Sequence, residues 1–212
     1  MVKAILFDFD DTLGNREYAA YNLYHDLLKP YFSDELLLES AVQDTLVTEQ
    51  YGNCDKNYVQ TQIQNRYNVQ FDFILKEKWE ELIGQYSVPF DDTVDTLEYL
   101  KKKYKLGVIT NGYTSTQHNK INNVGIAQYF DMILTSQEVG VLKPDPLIFR
   151  CAAERLNLNV DECVYVGDVF SNDVFGALRA GMKAVWIWKR GFRQCRYDVQ
   201  KIETLSDLKK LY

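Results

Sequence analysis

Five short apolar runs, each followed by polar residues, constrain this chain most. They are Ala4–Phe7, 106–110, Met132–Thr135, 163–166 and 184–188. Each is rich in Val, Ile, Leu or aromatic residues and only four or five residues long. Such runs predict strands buried on both faces. Helical patterns separate them. Thr114 or Ser115 can cap a helix running to about Asn123, which stops at Gly125. Pro146 stands where a first-turn proline belongs and opens a helix to about Leu156. Residues 172–180 read as another helix, ended by Gly181, and Ser206 caps a short last one. Strand alternating with helix predicts an α/β fold: a Rossmann-like parallel sheet covered on both faces.

One stretch departs from that alternation. From about Arg16 to Tyr86 no strand pattern occurs, and helical periodicity covers 18–28, 34–45, Lys56–Tyr67 and 71–85. A crossover between parallel strands needs only about a dozen residues. The excess predicts an inserted α-helical cap. The expected domains are an α/β core of 1–14 and 89–212 and a helical cap of 15–88, with hinges near 13–16 and 86–90.

Composition removes several function classes. Of 212 residues, 46% are hydrophobic and 14% aromatic, enough for a folded core. The formal net charge of −6 works against binding a phosphate backbone, so no nucleic-acid partner is expected. The dense basic run, Lys101 to Lys103 with Lys105, closes a helical pattern, where cations suit the helix dipole. Cys54, Cys151, Cys163 and Cys195 form no CxxC pair, and His25 and His118 lie at no ligand spacing from them, which argues against zinc. Scattered cysteines fit free thiols in a reducing compartment. With neither a leader-like start nor an apolar run approaching ~18 residues, the expectation is a cytoplasmic protein away from membranes, as monomer or homodimer.

Ligands of parallel α/β sheets bind at the carboxyl ends of the strands. The first strand is followed by Asp8, Asp10, Asp11 and Thr12, and the second by Thr110, Asn111 and Gly112. The loop after the third reaches Lys143, Pro144 and Asp145, and the fourth is followed by Gly167, Asp168 and Asp173. All of them fall on one rim. Asp8, Asp10, Asp168 and Asp173 would crowd a pocket with Lys143 as the nearby cation. Packed carboxylates resist joint ionisation. A hard divalent cation relieves this, and oxygen ligands shared with a phosphate suit Mg²⁺.

These residues, in this order, resemble the haloacid dehalogenase superfamily. Asp8-Phe9-Asp10-Asp11-Thr12 is similar to its DxDxT signature. Thr110, closing a strand, resembles its second motif, Lys143 its third, and Gly167-Asp168 with Asp173 its fourth. The helical stretch lies where the family carries its first cap type. The resemblance implies Asp8 as a nucleophile that becomes phosphorylated and Asp10 as the acid and base. It implies Thr110, the Asn111 amide and Lys143 around the phosphoryl group. It implies Asp8, the Asp10 carbonyl, Asp168 and Asp173 around Mg²⁺. The second aspartate, Asp10, sets the chain on the phosphatase side, since a halide needs no proton. The stretch from Thr110 to Lys143 resembles the branch holding nucleoside-monophosphate and acyl-sugar phosphatases. The implied partner is a small phosphorylated metabolite, with Arg16, Tyr51 and Asn53 as cap residues that meet it. A phosphomutase on the same core, or a phosphate-binding scaffold without catalysis, are the alternatives. Asp11 points away from Asp10 and reads as a turn residue. Trp186 and Trp188 read as packing.

Overall fold

The computed structural model describes residues 1–189 and 194–212. It divides into two compact units, Arg16–Val88 and the pair of segments Met1–Asn15 with Pro89–Tyr212.

The first of these is helical: α1 (Arg16–Leu28), α2 (Glu35–Thr48), α3 (Lys56–Tyr67) and α4 (Leu75–Tyr86). Asp34 caps α2 by accepting from the Leu37 amide, and Asp55 caps α3 by accepting from the Asn57 and Tyr58 amides. The apolar faces meet in a core that includes Ala20, Tyr24, Leu38, Val42, Val59 and Ile63. Between α2 and α3 the chain makes one tight turn, Gln50–Gly52, with three successive left-handed residues: Gln50 (φ 49°), Tyr51 (φ 57°) and Gly52 (φ 87°).

The other unit is a parallel sheet of β1 (Ala4–Phe7), β2 (Lys105–Thr110), β3 (Met132–Thr135), β4 (Cys163–Gly167), β5 (Lys183–Ile187) and β6 (Gln200–Ile202). The strand order is β3-β2-β1-β4-β5-β6. Successive side chains point to opposite faces. Ala4, Leu6, Cys163 and Tyr165 therefore join one hydrophobic cluster, and Ile5, Phe7, Val164 and Val166 the other. Both faces being dry, the strands read as continuous apolar runs. Each fully buried side chain of this size contributes about 1.5–3 kcal/mol. The covering helices are α5 (Thr93–Lys101), α6 (Thr114–Asn123), α7 (Ser136–Val139), α8 (Pro146–Arg155), α9 (Phe175–Ala180) and α10 (Leu208–Leu211). The two segments are stitched together beside β1. Gly14 bridges to Pro89, and the Leu13 carbonyl accepts from the Phe90 amide (3.2 Å) and the Thr93 hydroxyl (2.9 Å).

Several local expectations need correction. The N-cap of α6 is Tyr113, with no side-chain cap; Thr114 lies inside the helix and its hydroxyl meets that of Thr135 at 2.7 Å. The helix expected at 172–180 starts earlier, as a wide π turn over Phe170–Val174. Ser206 caps nothing: Thr204 and Asp207 form the capping box, and the Ser206 amide donates to Asp92. Strand β6 and helix α7 were not expected. They span three and four residues, too few to display a period. No helix among the described residues is long and apolar enough to cross a membrane.

Candidate active site

From β1 the sheet grows one way through β2 and β3, then the other way through β4, β5 and β6. The crevice at such a reversal opens beyond the carboxyl ends of the strands. Asp8 stands there directly after β1, its amide donating to the Val166 carbonyl at 2.9 Å. Thr110 is the last residue of β2 and is buried, and Asp168 follows β4 at once.

Lys143 ties these ends together. Its ammonium lies 2.7 Å from Asp8 Oδ1 and donates to Asp173 Oδ1 at 2.8 Å and the Tyr165 hydroxyl at 2.9 Å. Tyr165 in turn donates to the Ile109 carbonyl (2.8 Å). The Asn111 side chain fixes the main chain of Lys143: its Oδ1 accepts from the Lys143 amide at 2.8 Å and its Nδ2 donates to the Lys143 carbonyl at 3.2 Å. The peptide bond from Lys143 to Pro144 is cis. Asp173 Oδ2 accepts from the Val169 amide at 2.9 Å. Its carboxylate lies so close to the end of β4 that a Cβ on Gly167 would sit 2.4 Å from the Asp173 Cγ. The glycine before Asp168 is thus a steric requirement of the aspartate six positions on.

Asp8, Asp168 and Asp173 are all buried and offer carboxylate oxygens within 4.8 Å of one another. Burial pushes the Asp8 carboxyl up to about 7 despite the opposing pull of Lys143. Burial, then the Asp8 and Asp173 charges, pushes Asp168 well above the usual carboxylate range. Burial alone would lower Lys143, but Asp173 and Asp8 outweigh it and hold the ammonium firmly charged. Three oxygen donors around one ammonium leave surplus negative charge in a dry site. That donor set fits a hard divalent cation such as Mg²⁺.

Asp10 stands apart from this group through its side chain. Its two oxygens accept from Lys120 Nζ at 2.5 and 2.6 Å, and Oδ2 also from Gln117 Nε2 at 3.3 Å. Sequence reasoning found one cation here, Lys143; the structure brings a second. Gln117 and Lys120 face the same way because they are three apart on α6. That spacing was legible, but their target across more than a hundred residues was not. Asp11 is a turn residue, as expected, with φ 55° and its amide donating to the Gly14 carbonyl at 2.7 Å. Trp186 is buried and its indole donates to the Asp168 carbonyl at 2.8 Å, so it positions as well as packs.

Arg16, Tyr51 and Asn53 lie in the helical unit. Arg16, expected to meet the substrate, is not an open anion hook: it is buried and grips Glu49 through two bonds of 2.6 and 3.0 Å. Glu49 also accepts from Lys56 and from the Tyr24 hydroxyl, each at 2.6 Å. The Trp79 ring lies against both cations, 4.9 Å from the guanidinium carbon and 4.2 Å from the ammonium. Tyr51 and Asn53 are exposed, and Asn53 donates to the Gln50 carbonyl at 2.9 Å.

Residues 5–187 match the family model described as haloacid dehalogenase-like hydrolase. The chain is 32% identical to the glyceraldehyde 3-phosphate phosphatase of Methanothermobacter thermautotrophicus, over 100% of both chains. It is 30% identical to the N-acylneuraminate-9-phosphatase of Mus musculus, over 90% of this chain and 84% of that one. A solved structure, the haloacid dehalogenase phosphatase from Thermococcus onnurineus, superposes with a TM-score of 0.70 at 32% identity, covering 99% of this chain and 97% of that one.

Proposed function

Because the chain belongs to the haloacid dehalogenase-like hydrolases and its named relatives are phosphatases, we propose that it hydrolyses a small phosphate monoester, with Asp8 as nucleophile and Mg²⁺ as cofactor. The observation that carries this reading is the buried group of Asp8, Lys143, Asp173 and Asp168 at the sheet reversal.

In the first half of the reaction an Asp8 oxygen bonds phosphorus as the ester bond from phosphorus to oxygen breaks. The electron pair of that bond passes to the leaving oxygen, which takes a proton from Asp10. In the second half a water oxygen bonds phosphorus, its proton returns to Asp10, and the bond from phosphorus to Asp8 breaks. Ester and water become alcohol and phosphate, and both aspartates return to their starting state. Thr110, the Asn111 amide and Lys143 hold the phosphoryl oxygens, and Lys143 offsets charge that would repel the nucleophile. A Mg²⁺ held by Asp8, Asp168, Asp173 and the Asp10 carbonyl would screen nucleophile and phosphoryl group from each other.

The glyceraldehyde and N-acylneuraminate phosphates in the relatives' names support a small phosphorylated metabolite as substrate. The helical unit, residues 16–88, acts as a cap that selects the leaving group. Exposed Tyr51 and Asn53 meet it, and Arg16 contributes by fixing the turn that carries them. Four free cysteines suit a cytoplasmic enzyme, as monomer or homodimer.

Phosphate release from p-nitrophenyl phosphate and a panel of metabolite esters tests the reading. Release should require Mg²⁺, stop in EDTA, and return with Mg²⁺ but not Ca²⁺, whose longer and looser coordination spoils the in-line geometry. Full activity of enzyme shown by metal analysis to be metal-free, or no release from any ester with Mg²⁺ present, would overturn it.

A further inference from the structure

We propose that Lys120 is a positioning residue for Asp10. It holds that carboxyl at a station of its own, out of the group formed by Asp8, Lys143, Asp173 and Asp168. This rests on the phosphatase reading above and deepens it.

Asp8 and Asp10 are two residues apart and extend to the same side of the chain. Left to themselves, both carboxylates would compete for Lys143. The structure gives each its own lysine from a different element: Lys143 at 2.7 Å from Asp8, Lys120 at 2.5 and 2.6 Å from the two oxygens of Asp10. The station is built. Lys120 is 3% exposed and Gln117 5%, and both reach Asp10 from one face of α6. The Phe9 ring lies 5.2 Å from the Lys120 ammonium, on the residue between the two aspartates. Gln117 is itself fixed, donating to the Asn111 carbonyl at 2.9 Å and packed so closely on Gly112 that a Cβ there would lie 2.8 Å from its Nε2. The same amide therefore ties the Asp10 station to Asn111, which clamps Lys143. A surface ion pair would need none of this support. A carboxyl that must meet a leaving oxygen at hydrogen-bond distance does, because misplacement by about an ångström can cost about a hundredfold.

The test is the dependence of kcat/KM on the leaving group, in full-length enzyme with Mg²⁺. This parameter reports steps through the first irreversible one, where Asp10 protonates an alkoxide but is hardly needed by a dinitrophenolate. For Lys120→Met, kcat/KM on glycerol phosphate should fall on the order of 10- to 100-fold more than on 2,4-dinitrophenyl phosphate, within the ~10²–10⁴ that general acid catalysis supplies. Lys120→Arg should recover most of the difference. Asp10→Asn should show the same leaving-group bias, larger. Gln117→Leu, which keeps the ammonium in place, should show it smaller, and it serves if Lys120→Met does not fold. Equal losses on both esters in the folded variants, or no loss, would overturn the proposal. Failure of wild type to release phosphate from these two esters and from every ester of the panel above would instead overturn the phosphatase reading.

Discussion

Each unit of this protein buries a knot of charged side chains, and the two knots are balanced in opposite senses. In the sheet unit Asp8 and Asp173 share Lys143, and Asp168 crowds the same group as a third carboxylate. In the helical unit Glu49 has two cations and a phenol around it, and an indole face covers the cations. Both acids are nearly inaccessible, yet burial pushes Asp8 up to about 7, while Arg16 and Lys56 overcome burial and hold Glu49 at about 2. Burial of charge therefore does not mark a reaction site by itself. The mark is a deficit of counter-charge, which a metal ion and an anionic substrate can fill. A knot that closes on itself holds structure.

The contrast breaks most visibly at the two acids. Asp8→Asn should lower kcat on p-nitrophenyl phosphate at least about a thousandfold, ~4 kcal/mol in the barrier, with circular dichroism unchanged. Residual turnover above a tenth of wild type in a clean preparation would remove Asp8 as nucleophile. Glu49→Ala should instead act on stability. Two buried cations lose their counter-charge, a class of change that costs about 3–5 kcal/mol, read as a lower midpoint in urea. A loss under about 1 kcal/mol would mean that the knot is not what holds its unit together.

Proton linkage sharpens the comparison. Glu49 has a folded value of about 2, below its ordinary 4.5. Its contribution is complete above about pH 4.5 and lost as pH falls through 2, in all ~3 kcal/mol at ~1.4 kcal/mol per pH unit. Asp8, at about 7 against an ordinary 3.8, runs the other way. The folded state keeps a proton the unfolded state releases, so without metal Asp8 opposes folding above pH 7. That opposition fades as pH falls toward 3.8. In EDTA, Asp8→Asn should therefore stabilise the protein at pH 8 by up to a few kcal/mol and hardly at all near pH 4. Denaturation of both proteins across that range checks this: a difference that is independent of pH would remove the linkage, and one that grows toward pH 4 would reverse its sign.

The smallest effect expected is at Gly52. Its φ of +87° disfavours any side chain, and a Cβ there would lie 2.8 Å from Arg16 Nη2. Gly52→Ala should lower stability by about 1–2 kcal/mol, seen as a modest drop in Tm. No change would show that the turn relaxes without disturbing the grip of Arg16 on Glu49.

What could be read in the sequence followed from how local the signal was. The buried strands are unbroken apolar runs, the helices from Arg16 to Tyr86 repeat a period over many residues, and Asp8, Thr110, Lys143 and Asp168 follow or close these runs in a recognisable order. The partners of Asp10 and Arg16 were not legible. Lys120 is one lysine in a polar helix, TSTQHNKINN. Glu49 stands 33 positions from Arg16 in an ordinary helix end. Only the fold decides which opposite charge such a residue meets. Asp173 fell between: its place after Gly167-Asp168 could be read, but the reason Gly167 must be a glycine could not.

The stitch of Leu13 and Gly14 to Pro89 and Phe90 has a consequence for descent. The chain departs and returns through adjoining hydrogen bonds, so residues 16–88 are a detour whose ends are already joined. Its length and content can drift without altering the register of β1 against β2. A gene lineage could trade this passage for another by recombination at two neighbouring points and inherit the hydrolytic core unchanged. Replacing it with a short glycine bridge in the laboratory would retrace such an event.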